Sequence, residues 1–144
     1  MKGRVLVVFV VTCACAWAGS FPAAQVNSAG TGGITKFQAF ALVRSANTGE
    51  AEGFGKEHRY VPLEVLLRTR FFEGRTDIPP VRPTDGTAAE VGNYRLLVVV
   101  SPGAQHYAVQ LVPASGGCGP ALFSNESGII YPGTALGCPP AQFR

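Results

Sequence analysis

Histidine is scarce in this 144-residue chain, and the two present, His58 and His106, lie far apart with no cysteine or carboxylate at ligand-like spacing. That excludes a zinc site of the usual kind, which needs four ligands converging from closely spaced pairs. Charge is scarce as well, at 15% of residues. No concentrated basic stripe stands out: Arg68, Arg70, Arg75 and Arg82 are interrupted by Glu73, Asp77 and prolines, so they read as a solvated loop and not as a phosphate-neutralising surface. No serine or cysteine carries the marks of an activated nucleophile with a base and an orienting partner, and Gly30-Thr31-Gly32-Gly33 lacks the preceding strand and spacing of a phosphate loop. Long apolar runs are missing too, the longest being the 14 residues from Val5 to Ala18, short of the ~20 a membrane span needs.

That run belongs to a three-part leader. Lys2 and Arg4 precede it, and small residues around Trp17 close it, which is the pattern of a secretory signal peptide over residues 1–18, cleaved near Ala18. A retained membrane anchor is the minority alternative, and lipidation at Cys13 or Cys15 is a second. Cleavage leaves 126 residues with 10 basic and 9 acidic side chains, a nearly neutral mature protein expected to be secreted or periplasmic. It also leaves two cysteines, Cys118 and Cys138, whose even number in an oxidising compartment predicts a disulfide.

Residues 19–33, rich in Gly, Ser and Ala, read as a flexible linker ahead of a single domain at 34–144. Thr35 and Gln38 form a capping-box pattern that starts a helix, predicted to run to about Ala51 and to fray towards Phe54 as Gly49, Gly53 and Gly55 weaken it. Ile34, Phe37, Phe40, Ala41 and Val43 mark its expected buried side. Glu50, Glu52, Lys56 and Glu57 favour helix, and Glu52 stands four residues before Lys56. A short second helix is expected after Pro62, on Leu63, Leu66 and Leu67. From Glu73 to Val91 prolines and glycines predict a long connection. Strands are predicted over Tyr94–Val100 and His106–Val112, with two shorter ones at Ala121–Phe123 and Gly128–Tyr131. The fold class is therefore α+β, with an N-terminal helix packed on a small C-terminal antiparallel meander of about four strands.

Several strings in this layout resemble type IV pilin-like proteins and pseudopilins. Arg44-Ser45-Ala46-Asn47-Thr48 is similar to their Arg-x-x-Asn-Thr string in the soluble half of the first helix. Gly92-Asn93-Tyr94-Arg95 resembles their entry into the first strand, and Tyr107-Ala108-Val109 followed by Pro113 their second strand. Phe123-Ser124-Asn125-Glu126-Ser127-Gly128-Ile129-Ile130 is similar to their Phe-x-x-Asp-Glu-Ser-Gly-Val-Ile hairpin, and the resemblance spans roughly Ile34 to Tyr131. It implies an exported assembly or adaptor protein on a helix-on-sheet scaffold, lacking catalytic residues; the chain departs from the family's prepilin leader and transmembrane half-helix, so a pilin-like headpiece alone is expected.

The functional expectation is an exported non-enzymatic protein that uses no cofactor and acts through protein contacts in a secretion, pilus-type or cell-surface assembly, with no stable membrane span after processing and no nucleic-acid partner. A small secreted ligand- or glycan-binding module on the same scaffold is the alternative, and a hydrolase the third. The aromatic cluster Phe54, Tyr60, Phe71 and Phe72 beside the proline-rich segment makes Phe71, Phe72, Arg75 and Arg82 the expected contact surface. Asp77, Asp85 and Glu126 are weak calcium candidates, and Asn125-Glu126-Ser127, though a glycosylation acceptor by pattern, reads better as a turn.

Overall fold

A computed structural model describes residues 33–134 and Cys138. The expected leader at 1–18 and nearly all of the linker at 19–33 lie outside these residues. Helix α1 spans Lys36–Glu57 and α2 spans Leu63–Leu67. Six strands follow: β1 (Arg82–Pro83), β2 (Ala88–Val91), β3 (Tyr94–Val100), β4 (Tyr107–Pro113), β5 (Pro120–Asn125) and β6 (Tyr131–Thr134). They form one antiparallel sheet in sequence order, each strand paired with the next. The class is α+β, with six strands in place of the expected four.

The capping box forms as the pattern predicts. The Gln38 amide donates to Thr35 Oγ1 at 3.2 Å, and the Thr35 amide donates to Gln38 Oε1 at 2.9 Å, so each side chain satisfies an N–H at the helix start. At the other end α1 outruns its predicted limit and stops only at His58, whose left-handed φ of 54° reverses the chain. The reason lies in the glycines. A Cβ on Gly49 would sit 2.4 Å from Leu66 Cδ1, and one on Gly53 would sit 3.2 Å from Val61 Cγ1. These glycines let the returning segment approach the helix closely, and the packing recovers what their backbone freedom costs.

The buried side of the helix matches the expected one in part: Val43 is fully buried and Ile34, Phe40 and Ala41 pack partly against the core, but Phe37 does not. Ala39, Leu42, Val43 and Ala46 enter the core together with Asn47 and Glu50, whereas Phe37 is 71% exposed and Phe40 and Ala41 are only half-buried. The alanines at 39 and 46 let the helix lie close to β4 and β5, with Phe40 packed partly against the core and Phe37 left outside it. Opposite it the sheet presents Leu96 and Val98 from β3, Val109 and Leu111 from β4 and Leu122 from β5, alternate residues as strand geometry requires. Leu63 and Leu66 of α2 close one end of this core.

The connection predicted from Glu73 to Val91 holds the β1–β2 hairpin, and β2 turns into β3 through the two residues Gly92 and Asn93. Gly92 has φ 58° at the first central position, which suits a twist-matched two-residue hairpin loop. The final strand is also displaced from its expected place: residues 128–130 form a loop, and β6 begins at Tyr131. Asn125 Oδ1 accepts from the Ser127 amide at 3.1 Å and from Ser127 Oγ at 2.7 Å, so the turn role expected of Asn125 is filled. Cys118 and Cys138 are disulfide-bonded, with their Cα atoms 5.4 Å apart. No helix among the described residues is long and apolar enough to cross a membrane.

Candidate functional site

The strongest surface feature is the side of α1 turned away from the sheet. With Ala39, Leu42, Val43 and Ala46 committed to the core, helical spacing brings Phe37, Phe40, Arg44, Thr48 and Ala51 to the outer side as a ridge. One side of this ridge borders a groove of about 380 Å³, walled across from the helix by Phe71, Arg75 and Asp77. The other borders a shallower groove of about 480 Å³ whose far wall is Gly128 and Ile130 of the β5–β6 loop. Phe40, Arg44 and Thr48 line both.

The first wall is built by α2 and the turn after it. Thr69 Oγ1 donates to the Leu66 carbonyl at 2.7 Å, and the Phe72 and Glu73 amides donate to the Thr69 carbonyl at 3.0 and 2.9 Å. This tight turn sets Phe71 beside Gly49, with the Arg70 guanidinium 5.1 Å from its ring centroid. Arg75 is held by Asp77 through two parallel contacts, Nε to Oδ1 at 2.5 Å and Nη2 to Oδ2, and its Nη1 donates to buried Ser45 Oγ at 3.3 Å. The guanidinium keeps the Asp77 carboxyl below the usual carboxylate range. Arg75 is thus a neutralised, fixed wall. Arg44 is exposed and has no ion-pair partner among the described residues, so the ridge carries one open cation between two grooves.

The far wall is fixed by a buried polar network. Asn47 Nδ2 donates to Ser124 Oγ at 2.7 Å and to the Gly128 carbonyl at 3.2 Å, while Tyr107 OH donates to Asn47 Oδ1 at 3.2 Å. Ser124 Oγ in turn donates to the Ile129 carbonyl at 2.9 Å. Every polar atom of the Asn47 side chain is satisfied, and burial pushes the Tyr107 phenol well above its ordinary range.

The four residues expected to form a contact surface do not share one groove. Phe71 and Arg75 line the first groove; Phe72, largely buried, borders with Arg75, Pro79 and Pro80 another of about 290 Å³; and Arg82 sits on edge strand β1, beside a further groove of about 230 Å³ with Pro79, Pro80 and Glu90. Two exposed aromatics beside the proline-rich segment would mark a binding patch, but Phe72 is buried and Phe71 is half-buried against the core. The expected aromatic cluster divides likewise: Phe54 stacks on Tyr60 at 4.8 Å, and Tyr60 packs on Tyr107 at 4.6 Å, away from Phe71. Asp77, Asp85 and Glu126 serve separate partners, namely Arg75, Thr87 with Arg95, and His106. Among the described residues no group of three or more His, Cys, Asp or Glu is placed to hold a metal ion.

Sequence reasoning missed Phe37, Phe40, Arg44 and Thr48 as a surface. The readable signal was the run Ala39, Leu42, Val43, Ala46, which is a better buried stripe for close packing than the aromatics beside it. Comparison with known families, with curated proteins and with solved structures finds no match to this chain.

Proposed function

We propose that this chain is an exported, non-enzymatic protein whose pilin-like soluble domain works through protein contacts in a secretion, pilus-type or cell-surface assembly, and that the contact is made by the outer ridge of α1. The supporting observation is the combination of a fixed ridge, Phe37 to Ala51, with grooves on both sides and the unpaired Arg44 between them. A helix face that combines exposed aromatic surface with one open charge suits recognition of another protein surface.

The test is a photo-crosslinking amino acid placed at Arg44 or, as a control on the outer sheet face, at half-exposed Val99, in cells that produce the chain. A discrete crosslinked protein at Arg44 and none at Val99 is expected, together with an intact mass in the exported fraction that lacks residues 1–18. Equal crosslinking at both positions overturns the contact assignment, and a chain found only in the cytoplasm overturns export. The groove beside Phe71, where the Phe37, Phe40 and Phe71 rings meet the Arg75–Asp77 pair, favours the second reading, a small-ligand or glycan-binding module. Under that reading a small molecule shifts the melting temperature, Phe71→Ala abolishes the shift, and no protein adduct forms at Arg44.

A further inference from the structure

The linker between α1 and α2, residues 58–62, crosses the helix over a carboxyl group that the ridge does not use. Glu50 is fully buried. Its Oε2 accepts from the Val61 amide at 2.9 Å, and its Oε1 has no hydrogen-bond partner. Two other bonds tie the linker to the β3–β4 turn: the Tyr60 amide donates to the Ala104 carbonyl at 2.9 Å, and Gln105 Nε2 donates to the His58 carbonyl at 3.1 Å. Val61 is seated on Gly53, and the Tyr60 ring lies between Phe54 and Tyr107. The Val61 amide on Oε2 thus ties the buried carboxyl directly to this linker.

The groups acting on Glu50 give an ionised carboxylate nothing to pair with. The linker contributes the Tyr60 phenol and β4 the Tyr107 phenol, and Glu126 of the β5–β6 turn acts electrostatically on both. Glu126 is itself engaged with His106 at 3.0 Å. From α2 the core receives Leu63 and Leu66, while Glu64 is exposed, and on α1 itself Glu52 is paired with Lys56 and Arg70. No Lys, Arg or His among the described residues forms an ion pair with Glu50. Burying an unpaired charge is costly, so a group in this position either stays neutral or draws water in.

We propose that Glu50 is a proton-operated latch on the α1–α2 linker: its neutral carboxyl is the form that packs, and its ionisation opens Tyr60–Pro62 from the helix. Desolvation raises the carboxyl to about 7, with the Val61 N–H pulling the other way, so the change falls near neutral pH. The open linker exposes Glu50 to water and restores its ordinary range. Opening therefore becomes easier as pH rises from about 5 to about 7 and no easier beyond.

Amide hydrogen exchange of the full chain, corrected for intrinsic rates, tests the latch. The opening constant at the Val61 amide is expected to rise about tenfold per pH unit between about pH 5 and 7, then level off. It should not respond to low urea, because a local opening exposes little surface, whereas the Val109 and Leu111 amides should respond. In Glu50→Gln the pH dependence at Val61 disappears. Val61 exchange that is flat with pH, or that follows the urea-sensitive sheet amides throughout, overturns the proposal. If Glu50→Gln fails to fold, the carboxyl-carbon titration of wild-type Glu50 decides instead: a midpoint in the ordinary carboxylate range overturns the latch, and one near 7 upholds it.

Discussion

Asn47 on α1 and Ser124 on β5 are 77 residues apart in the chain, and their side chains meet at 2.7 Å inside the protein. The same amide receives the Tyr107 hydroxyl and reaches the Gly128 carbonyl, so one residue joins the helix to β4, β5 and the loop before β6. Removing it strands Tyr107 OH and the Gly128 carbonyl at once. Asn47→Ala should therefore cost about 2–4 kcal/mol in urea unfolding, more than one exposed hydrogen bond would explain. Ser124→Ala should cost less, and the double variant less than the sum, because both break the same bond. Fully additive losses would dissolve the network.

Two glycines of α1 should respond in opposite directions. At Gly49 a methyl group would collide with fully buried Leu66, so Gly49→Ala should destabilise by about 1 kcal/mol net, the overpacking exceeding the gain in helix propensity. At Gly55 nothing lies within 4 Å, and Gly55→Ala should stabilise by up to about 1 kcal/mol. Thermal melts of the two variants beside wild type check the sign of each.

The Cys118–Cys138 bridge closes a loop with a sequence separation of 20. By the chain-entropy argument its loss should remove about 3 kcal/mol. Comparing urea midpoints of oxidised, reduced and Cys118→Ser/Cys138→Ser protein measures this, and unchanged midpoints would show that the bridge constrains the tail without stabilising the fold.

Global stability should fall with pH over the window set by Glu50. The raised carboxyl, about 7 when folded, favours the fold at low pH, and that contribution is lost as pH rises from about 4.5 to about 7. The whole loss is about 3 kcal/mol at most. Asp77, Asp85 and Glu126 have lowered carboxyls, so they favour the fold above the ordinary carboxylate range and act below this window. Urea unfolding from pH 5 to 8 should show a decline in wild type and a flat line in Glu50→Gln.

Arg44→Glu should leave stability within about 0.5 kcal/mol of wild type, since the side chain is exposed and unpaired, yet abolish any crosslink at the neighbouring Thr48. A variant that keeps the crosslink while reversing the charge would move the contact off this ridge.

What was legible in the sequence is local chemistry. The Thr35–Gln38 cap, the Glu52–Lys56 pair, the cysteine pair and the strands at Tyr94 and Tyr107 each depend on residues a few positions apart or on simple alternation. The β1–β2 hairpin escaped because β1 is two residues long and the alanines of β2 are weak strand formers, although Gly92-Asn93 was a readable turn signal. The ridge escaped because hydrophobic spacing favoured Phe37 and Phe40 as core, when the helix needed small residues to approach the sheet. Glu50 escaped because a glutamate amid good helix formers looks like solvent-facing helix, and only the returning linker buries it.

Among the described residues both border strands of the sheet contain proline: β1 is Arg82–Pro83, and β6 runs Tyr-Pro-Gly-Thr. A proline nitrogen cannot donate to a neighbouring strand, and two-residue or glycine-containing borders make poor templates for another chain. Growth of this sheet into a continuous ribbon of copies is thereby discouraged at either margin. Oligomers built from this domain would join through side chains on its faces, which ties their geometry to the helix ridge and leaves strand exchange as the route the chain is shaped to avoid.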